Sequence, residues 1–340
     1  MDSPLLYFSI GLTLCFAFVN GFHDGGNVIA TLVCSRSMKP FRALLLAAIG
    51  EFVGPLILGT AVARTVATSI LKPDMLEQLS SVSLELMVIS AVGGAIAWKL
   101  PTWYLGLPSS GSHALIGGLV GAGMVGMGAE SVSVDKVVVA VIIPLLVSPI
   151  LGIIFGFVVF GVIRVLCSRA HRGIGRFFES LQRPTVFFLA ACHGSNDAQK
   201  SMGVIAIILA SQVGEMHGEL PLPMWVIVSC AASLALGLTA GGWRIVKTVG
   251  YRICRMEPVH SFASQFSSIL IILGASIMGG PVSTTQVVAS SVMGVGASRR
   301  LGGVRWSAAA HIAYAWFLTF PVCAGISAGA LWGLKRILAV

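Results

Sequence analysis

The chain has 340 residues, 56% hydrophobic and only 10% charged, with a mean hydropathy of +0.92 and a formal net charge of +9. Soluble domains carry about 25% charged residues, so the composition excludes an ordinary soluble protein and describes a polytopic membrane protein. The basic excess would suggest nucleic acid in a soluble chain; here it reads as loops facing the cytoplasm, with no nucleic-acid partner. The seven cysteines lack metal-site or CxxC spacing, so neither a metal centre nor a disulfide is expected.

A membrane-spanning helix needs about 20 largely apolar residues. The first such run, residues 5–33, follows Met-Asp-Ser-Pro, which has no basic n-region, and reads as a span rather than a signal peptide. Arg36, Lys39 and Arg42 come next. The second span is expected over residues 43–63, with Glu51 and Pro55 inside it, and the third over residues 82–98. Residues 99–108, with Lys99, Pro101 and Pro108, break the pattern before a Gly-rich crossing over residues 109–128. Residues 137–162 cross again, and the polar connection over residues 164–183 carries five Arg. The second half replays the order: a span over residues 185–210, an acidic loop with Glu215, His217 and Glu219, and a helix over residues 224–243. Arg244, Lys247, Arg252 and Arg255 follow. A helix over residues 262–278, a Gly-rich crossing ending at Arg299 and a last span over residues 306–334 complete the chain.

The polar residues inside these apolar runs are grouped. Asn20, His23, Asp24 and Asn27 stand at i, i+3, i+4 and i+7, one face of a helix, and so do His193, Asn196, Asp197 and Lys200. The two stripes are 173 residues apart (197 − 24 = 173), and Pro108-Ser-Ser-Gly-Ser112 and Pro281-Val-Ser-Thr-Thr285 keep that offset. The chain therefore reads as two copies of one unit, repeat 1 over residues 1–163 and repeat 2 over residues 184–340, joined by a cytoplasmic basic linker over residues 164–183. With both termini outside and five crossings per repeat, sixteen Lys and Arg fall in inside loops and five in outside loops, as the positive-inside rule favours. An odd number of crossings makes the copies antiparallel. The expected fold class is an all-α polytopic membrane protein of two inverted-topology repeats with broken or re-entrant helices. That is the mark of a secondary transporter with its site near the midplane.

A charge at the centre of a spanning helix costs about 2.5–3.5 kcal/mol, so Asp24, Asp197 and Lys200 should face a cavity or a partner. A purely structural Asp197–Lys200 pair explains one stripe but not Asp24, because Asn27 stands where Lys200 does. The two Pro-Ser/Thr segments read as starts of half-helices, where hydroxyls cap some N–H groups and the remaining donors and the helix dipole favour an anion. Ser109, Ser110, Ser112, Ser283, Thr284 and Thr285 are thus candidate substrate ligands, with Asp24, Asn27, Asn196, Asp197 and Lys200. Asn20, His23, Asp24, Glu51, His193 and Asp197 form the candidate coupling-ion set. A hydrolytic Ser112–His113 pair is disfavoured, because neighbours on a helix do not face each other and no GxSxG elbow is present; no enzyme is expected.

These residues carry a resemblance. Gly21-Phe-His-Asp-Gly-Gly-Asn27, Gly194-Ser-Asn-Asp-Ala-Gln-Lys200, Pro108-Ser-Ser-Gly-Ser-His113 and Pro281-Val-Ser-Thr-Thr-Gln286 resemble the two signatures of the inorganic phosphate transporter (PiT) family, of the form G-A-N-D-V-A-N and P-V-S-T-T-H. His23 and Lys200 stand where the family commonly has Asn, a variant similar to its proton-coupled bacterial, low-affinity permease branch. The resemblance implies an inverted-repeat symporter that imports inorganic phosphate, free or as a metal complex, across the bacterial inner membrane. It implies protons as the coupling ion, with sodium or a divalent metal as variants, and no bound cofactor. A phosphate dianion is repelled by Asp24 and Asp197, and the membrane potential opposes anion entry by about 2.3 kcal/mol per charge per 100 mV; a co-transported cation offsets both. A sulfate or thiosulfate permease of the same fold and a sodium-coupled phosphate symporter are the alternatives. The expected partners are inorganic phosphate and the lipid bilayer, and homo-oligomer formation stays open. Lys200, set against Asn27, is expected to make the site asymmetric by one fixed positive charge.

Overall fold

The computed structural model describes residues 3–171, 173–214 and 222–338; the acidic loop of Glu215, His217 and Glu219 lies outside the described residues. The described residues form α1 (Pro4–Cys34), α2 (Pro40–Ile57), α3 (Ala61–Ser69), α4 (Pro73–Glu77), α5 (Ser81–Leu105), α6 (Gly111–Met127) and α7 (Val134–Val137). A π-helical turn, Val138–Ile142, leads into α8 (Ile143–Leu166). Then come α9 (Ile174–Val213), α10 (Met224–Ala240), α11 (Trp243–Val246), α12 (Pro258–Ile277), α13 (Thr284–Arg299) and α14 (Trp306–Leu338). Among the described residues the only β-pairing is an isolated bridge between Leu71 and Val132. The all-α expectation holds.

Local chemistry sets several boundaries. Ser3 caps α1 by accepting from the Leu6 N–H at 3.0 Å, with Pro4 in the first turn. Gly106, at φ +68°, ends α5 in the left-handed conformation. That end corrects the expected break at residues 99–108. Helix α5 runs on through Lys99 and Pro101, so Lys99 is a helical residue and not a loop cation. Proline inside a membrane helix is tolerated where packed neighbours satisfy the freed backbone, and Pro55, Pro149, Pro184 and Pro321 sit inside helices too. The polar connection also shrinks. Helix α8 continues to Leu166 and α9 begins at Ile174, so most of residues 164–183 is helical. The second span divides, with Gly59 at φ +82° between α2 and α3.

Among the described residues, six helices are long and apolar enough to cross a membrane, or seven if α10 and the segment Trp243–Arg252, bent by 64°, count as one span. The chain is a multi-pass membrane protein. Helices α6 and α13, at 17 and 16 residues, reach about 25 Å, short of a hydrocarbon core of about 30 Å.

The packing exchanges elements between the two halves of the sequence. Helix α1 lies against α10 and α5, and α6 lies against α5 and α14. Helix α9 lies against α2 and α12, and α13 lies against α12 and α8. Two glycines at the 173-residue offset make the close approaches: a Cβ on Gly21 would overlap the Leu234 carbonyl, and one on Gly194 the Glu51 carbonyl. Small residues permit such backbone contact between membrane helices. Leu234 thus holds the place against α1 that Glu51 holds against α9.

Candidate substrate and ion site

The polar stripes of α1 and α9 turn inward and meet. Asn20, His23, Asp24, Asn27, His193, Asn196, Asp197 and Lys200 are all buried, none more than 2% exposed. An i, i+3, i+4, i+7 spacing puts each set on one helical face, and the apolar residues around them leave that face no alternative but the interior.

Asp24 is the focus of the first stripe. Its Oδ2 accepts from Lys99 Nζ at 2.7 Å. Its Oδ1 lies 2.7 Å from His23 Nδ1 and accepts from Thr285 Oγ1 at 3.1 Å. The other ring nitrogen of His23 lies 3.3 Å from both Thr102 Oγ1 and Ser109 Oγ. Asp197 is the focus of the second stripe. Lys200 Nζ donates to its Oδ1 at 2.5 Å, Asn20 Nδ2 to its Oδ2 at 2.9 Å, and Thr284 Oγ1 to both oxygens at 3.3 Å. Asn20 joins the two foci, because its Oδ1 accepts from Lys99 Nζ at 2.5 Å. A continuous chain therefore runs Asp24–Lys99–Asn20–Asp197–Lys200.

This chain corrects the expected asymmetry. Each aspartate has its own buried lysine, and the lysine of Asp24 comes from α5 rather than from the stripe. Sequence reasoning missed Lys99 because Pro101 and Pro108 nearby signal a break. The signal that marks it is a lone cation between Trp98 and Leu100 in an otherwise apolar helix. Gly111 makes room for it: the same offset places Gly111 opposite Thr284, and a Cβ there would overlap Asn20 Oδ1 and crowd Lys99 Nζ. Thr284 sits on Asp197, and at the matching position Gly111 leaves its space to the Lys99 ammonium and the Asn20 amide.

The two Pro-Ser/Thr segments do start helices. Ser110 caps α6 through the His113 N–H at 3.3 Å, and Ser283 caps α13 through the Gln286 N–H at 3.4 Å. Their hydroxyls are taken up in capping and do not reach the aspartates. Ser112 Oγ instead donates to the Val282 carbonyl at 2.9 Å, so the two helix starts touch. Lys200 Nζ also reaches that carbonyl, at 3.3 Å. Thr284 and Thr285 thus contact the carboxylates directly, whereas Ser109, Ser110 and Ser112 are arranged around them. Asn27 Nδ2 donates to Thr285 Oγ1 at 3.4 Å, and Asn196 Nδ2 to Ser276 Oγ at 3.0 Å and the Gly280 carbonyl at 3.2 Å. The side-chain oxygens of Asn27 and Asn196 are buried without hydrogen-bond partners. Gln199, one residue from Lys200, is structural: its Oε1 accepts from the Val62 and Ala63 N–H groups at 2.8 and 3.2 Å and pins α3 to α9.

Glu51, fully buried on α2, stands behind this network. Its Oε1 is 2.9 Å from His193 Nδ1, and His193 Nε2 is 3.6 Å from Asp197 Oδ2. The Glu51–His193 contact is at ion-pair distance but not aligned as a hydrogen bond, so neither carboxylate oxygen of Glu51 has a hydrogen-bond partner. Buried carboxylates are costly without one.

Chemically, the arrangement offers helix N-termini, hydroxyls and two ammonium groups to an anion, and three carboxylates and two imidazoles to cations. Similarity to known proteins points the same way. The phosphate transporter family matches over residues 20–327. A probable low-affinity inorganic phosphate transporter of Bacillus subtilis is 38% identical over 338 residues, covering 98% of this chain and 99% of its own. One of Rhizobium meliloti is 38% identical over 325 residues, covering 96% and 95%. Among solved structures, "The sodium-dependent phosphate transporter" superposes with a TM-score of 0.87 at 24% identity, over 98% of this chain and 100% of the other; that likeness speaks to the fold. These relatives are transporters and permeases, which leaves no place for an intramembrane hydrolase.

Proposed function

Given that the chain belongs to the phosphate transporter family, we propose that it is a secondary symporter moving inorganic phosphate inward across a bacterial inner membrane with protons. The observation that carries this reading is the pair of Asp–Lys contacts, Asp24–Lys99 and Asp197–Lys200, at 2.7 and 2.5 Å. Each carboxylate already has a fixed ammonium beside it, in the place where a mobile metal cation would otherwise neutralise it. The titratable groups that remain, Glu51, His23 and His193, exchange protons. Thr284, Thr285 and the helix starts of α6 and α13 supply donors to the phosphate oxygens, and a carboxylate accepts from a protonated phosphate oxygen. That last contact separates phosphate from sulfate, which has no proton to donate at neutral pH.

We place both termini outside and the two sequence repeats in opposite orientations, on the basic-residue count. Moving Lys99 from loop to site lowers the inside count from sixteen to fifteen (16 − 1) against five outside, and the bias stands. Sodium coupling is the second reading, favoured by the name of the superposed structure. Proteoliposome uptake of radiolabelled phosphate separates the readings. Uptake driven by a pH gradient in sodium-free medium, and not competed by sulfate, is expected. Uptake only with a sodium gradient transfers the assignment to the second reading, and sulfate competition at equal concentration removes the phosphate preference.

A further inference from the structure

The two helices that flank the site at equivalent places differ in polarity. On α12, Ser261, Ser264, Gln265 and Ser268 are buried. The 173-residue offset matches them to Val88, Ala91, Val92 and Ala95 on α5, all buried and apolar. Two of them, Gln265 and Ser261, extend the polar face of α1 in a line away from the site, while Ser264 and Ser268 donate to the Ser261 and Ser264 carbonyls of their own helix at 2.9 and 2.8 Å. Thr31 lies one helical turn beyond Asn27 on the same face of α1. Gln265 Nε2 donates to Thr31 Oγ1 at 3.0 Å and to Ser261 Oγ at 3.2 Å. Ser261 Oγ donates to Gln182 Oε1 at 3.1 Å, and Gln182 Nε2 to the Pro258 carbonyl at 2.6 Å. Gln265 Oε1 is buried with no hydrogen-bond partner, which a packing role leaves unexplained, since an unpaired buried acceptor is destabilising.

The line ends at a basic cavity. Pro258 is part of the wall of a cavity of about 500 Å³, together with Arg36, Arg255, Arg305 and Glu257. Among the described residues the three guanidinium groups have no ion pair, and Glu257 pairs with Arg299 at 3.7 Å. With three arginines against one glutamate the wall is net positive, and a concave surface of net positive charge raises the local concentration of anions.

We propose that phosphate passes between the site and this arginine-lined cavity along the polar face of α12, by a route that the equivalent face of α5 does not offer. The proposal rests on phosphate as the substrate and adds the route. Hydroxyl and amide groups along α12 replace part of the anion's hydration, the unpaired Gln265 oxygen accepts from a protonated phosphate, and Arg36, Arg255 and Arg305 hold the anion at the mouth. Under the proposed orientation, this mouth is the cytoplasmic exit.

The test places single cysteines at Ser261→Cys and Gln265→Cys on α12 and at Val88→Cys and Val92→Cys on α5. The protein is reconstituted, and labelling by a water-soluble, impermeant thiosulfonate during turnover is read peptide by peptide by mass spectrometry. The α12 positions are expected to label at least about tenfold faster than the α5 positions, and to be slowed by saturating inorganic phosphate. Equal rates, or faster labelling on α5, overturn the route. A second arm leaves α12 intact: Arg255→Gln with Arg305→Gln is expected to raise the KM for phosphate several-fold from the cavity side and less than twofold from the other. Equal changes on both sides overturn the role of the cavity. A wild-type protein that moves no phosphate refutes the substrate, while the labelling contrast still decides which helix lines the water-accessible path.

Discussion

Lys99 Nζ lies 2.7 Å from Asp24 Oδ2, joining residues 75 positions apart in the chain on two helices. Both groups are fully buried, so each is the other's compensation. Removing one member of such a pair typically costs about 3–5 kcal/mol, because an unpaired charge stays behind. Lys99→Met is therefore expected to abolish phosphate uptake and to lower thermal stability in detergent. The double variant Asp24→Asn with Lys99→Met should regain most of the stability and none of the uptake. A single variant as stable and active as the wild type would remove Lys99 from the site.

Asp24→Asn and Asp197→Asn keep the size of the side chain and lose its charge. Each is expected to reduce uptake at least about a hundredfold in proteoliposomes. Because each aspartate faces a lysine, some loss of stability should accompany this, which thermal unfolding measures. Wild-type uptake in both variants would return the stripes to a packing role.

Gly111 has no side chain where Thr284 stands in the second half, and Lys99 and Asn20 use the space. Gly111→Ala is expected to insert normally and lose uptake about tenfold or more, since the methyl group displaces the Asn20 amide that links the two foci. Thr284→Ser keeps the hydroxyl on Asp197 and should retain uptake within about twofold. Comparable losses in the two variants would show that the space beside Lys99 does not matter.

Lys200→Asn copies the residue of the first stripe, Asn27, into the second. It leaves Asp197 with Asn20 and Thr284, so the expected effect is a rise in the KM for phosphate larger than any loss of expression. A fall in expression with an unchanged KM marks Lys200 as a structural partner alone.

The orientation has its own measurement. A cysteine introduced at Arg169, between α8 and α9, is expected to be labelled by an impermeant maleimide only in inside-out vesicles. Labelling in intact cells reverses the assignment of both termini.

Much of this protein is legible in its sequence, for a physical reason. In a bilayer every backbone group is satisfied within a helix, so apolar runs with a 3.6-residue period translate directly into spans, and α1, α12 and α14 fall within a few residues of where hydropathy puts them. A buried charge is costly enough that Asp24, Asp197 and Lys200 announce themselves wherever they occur. The helix starts at Ser110 and Ser283 follow from proline and hydroxyl chemistry that is local in the chain.

What the sequence does not carry is which charge answers which. The pairing of Asp24 with Lys99 and of Asn20 with Asp197 depends on separations of 75 and 177 residues, on the close approach of helices at Gly21 and Gly194, and on the absence of a side chain at Gly111. Lys99 reads as a loop cation until α5 is seen to pass through Pro101, since neighbouring helices supply what the proline removes. The motif alone does not separate the roles of adjacent residues either: Gln199 caps α3 while Lys200 holds Asp197. The sequence by itself determined a membrane transporter with two polar stripes and two helix starts. Only tertiary structure decided that Asp24 too has its own lysine, because that pair joins residues 75 positions apart and is a matter of a few ångströms in space, whereas Asp197 and Lys200 stand one turn apart on one helix.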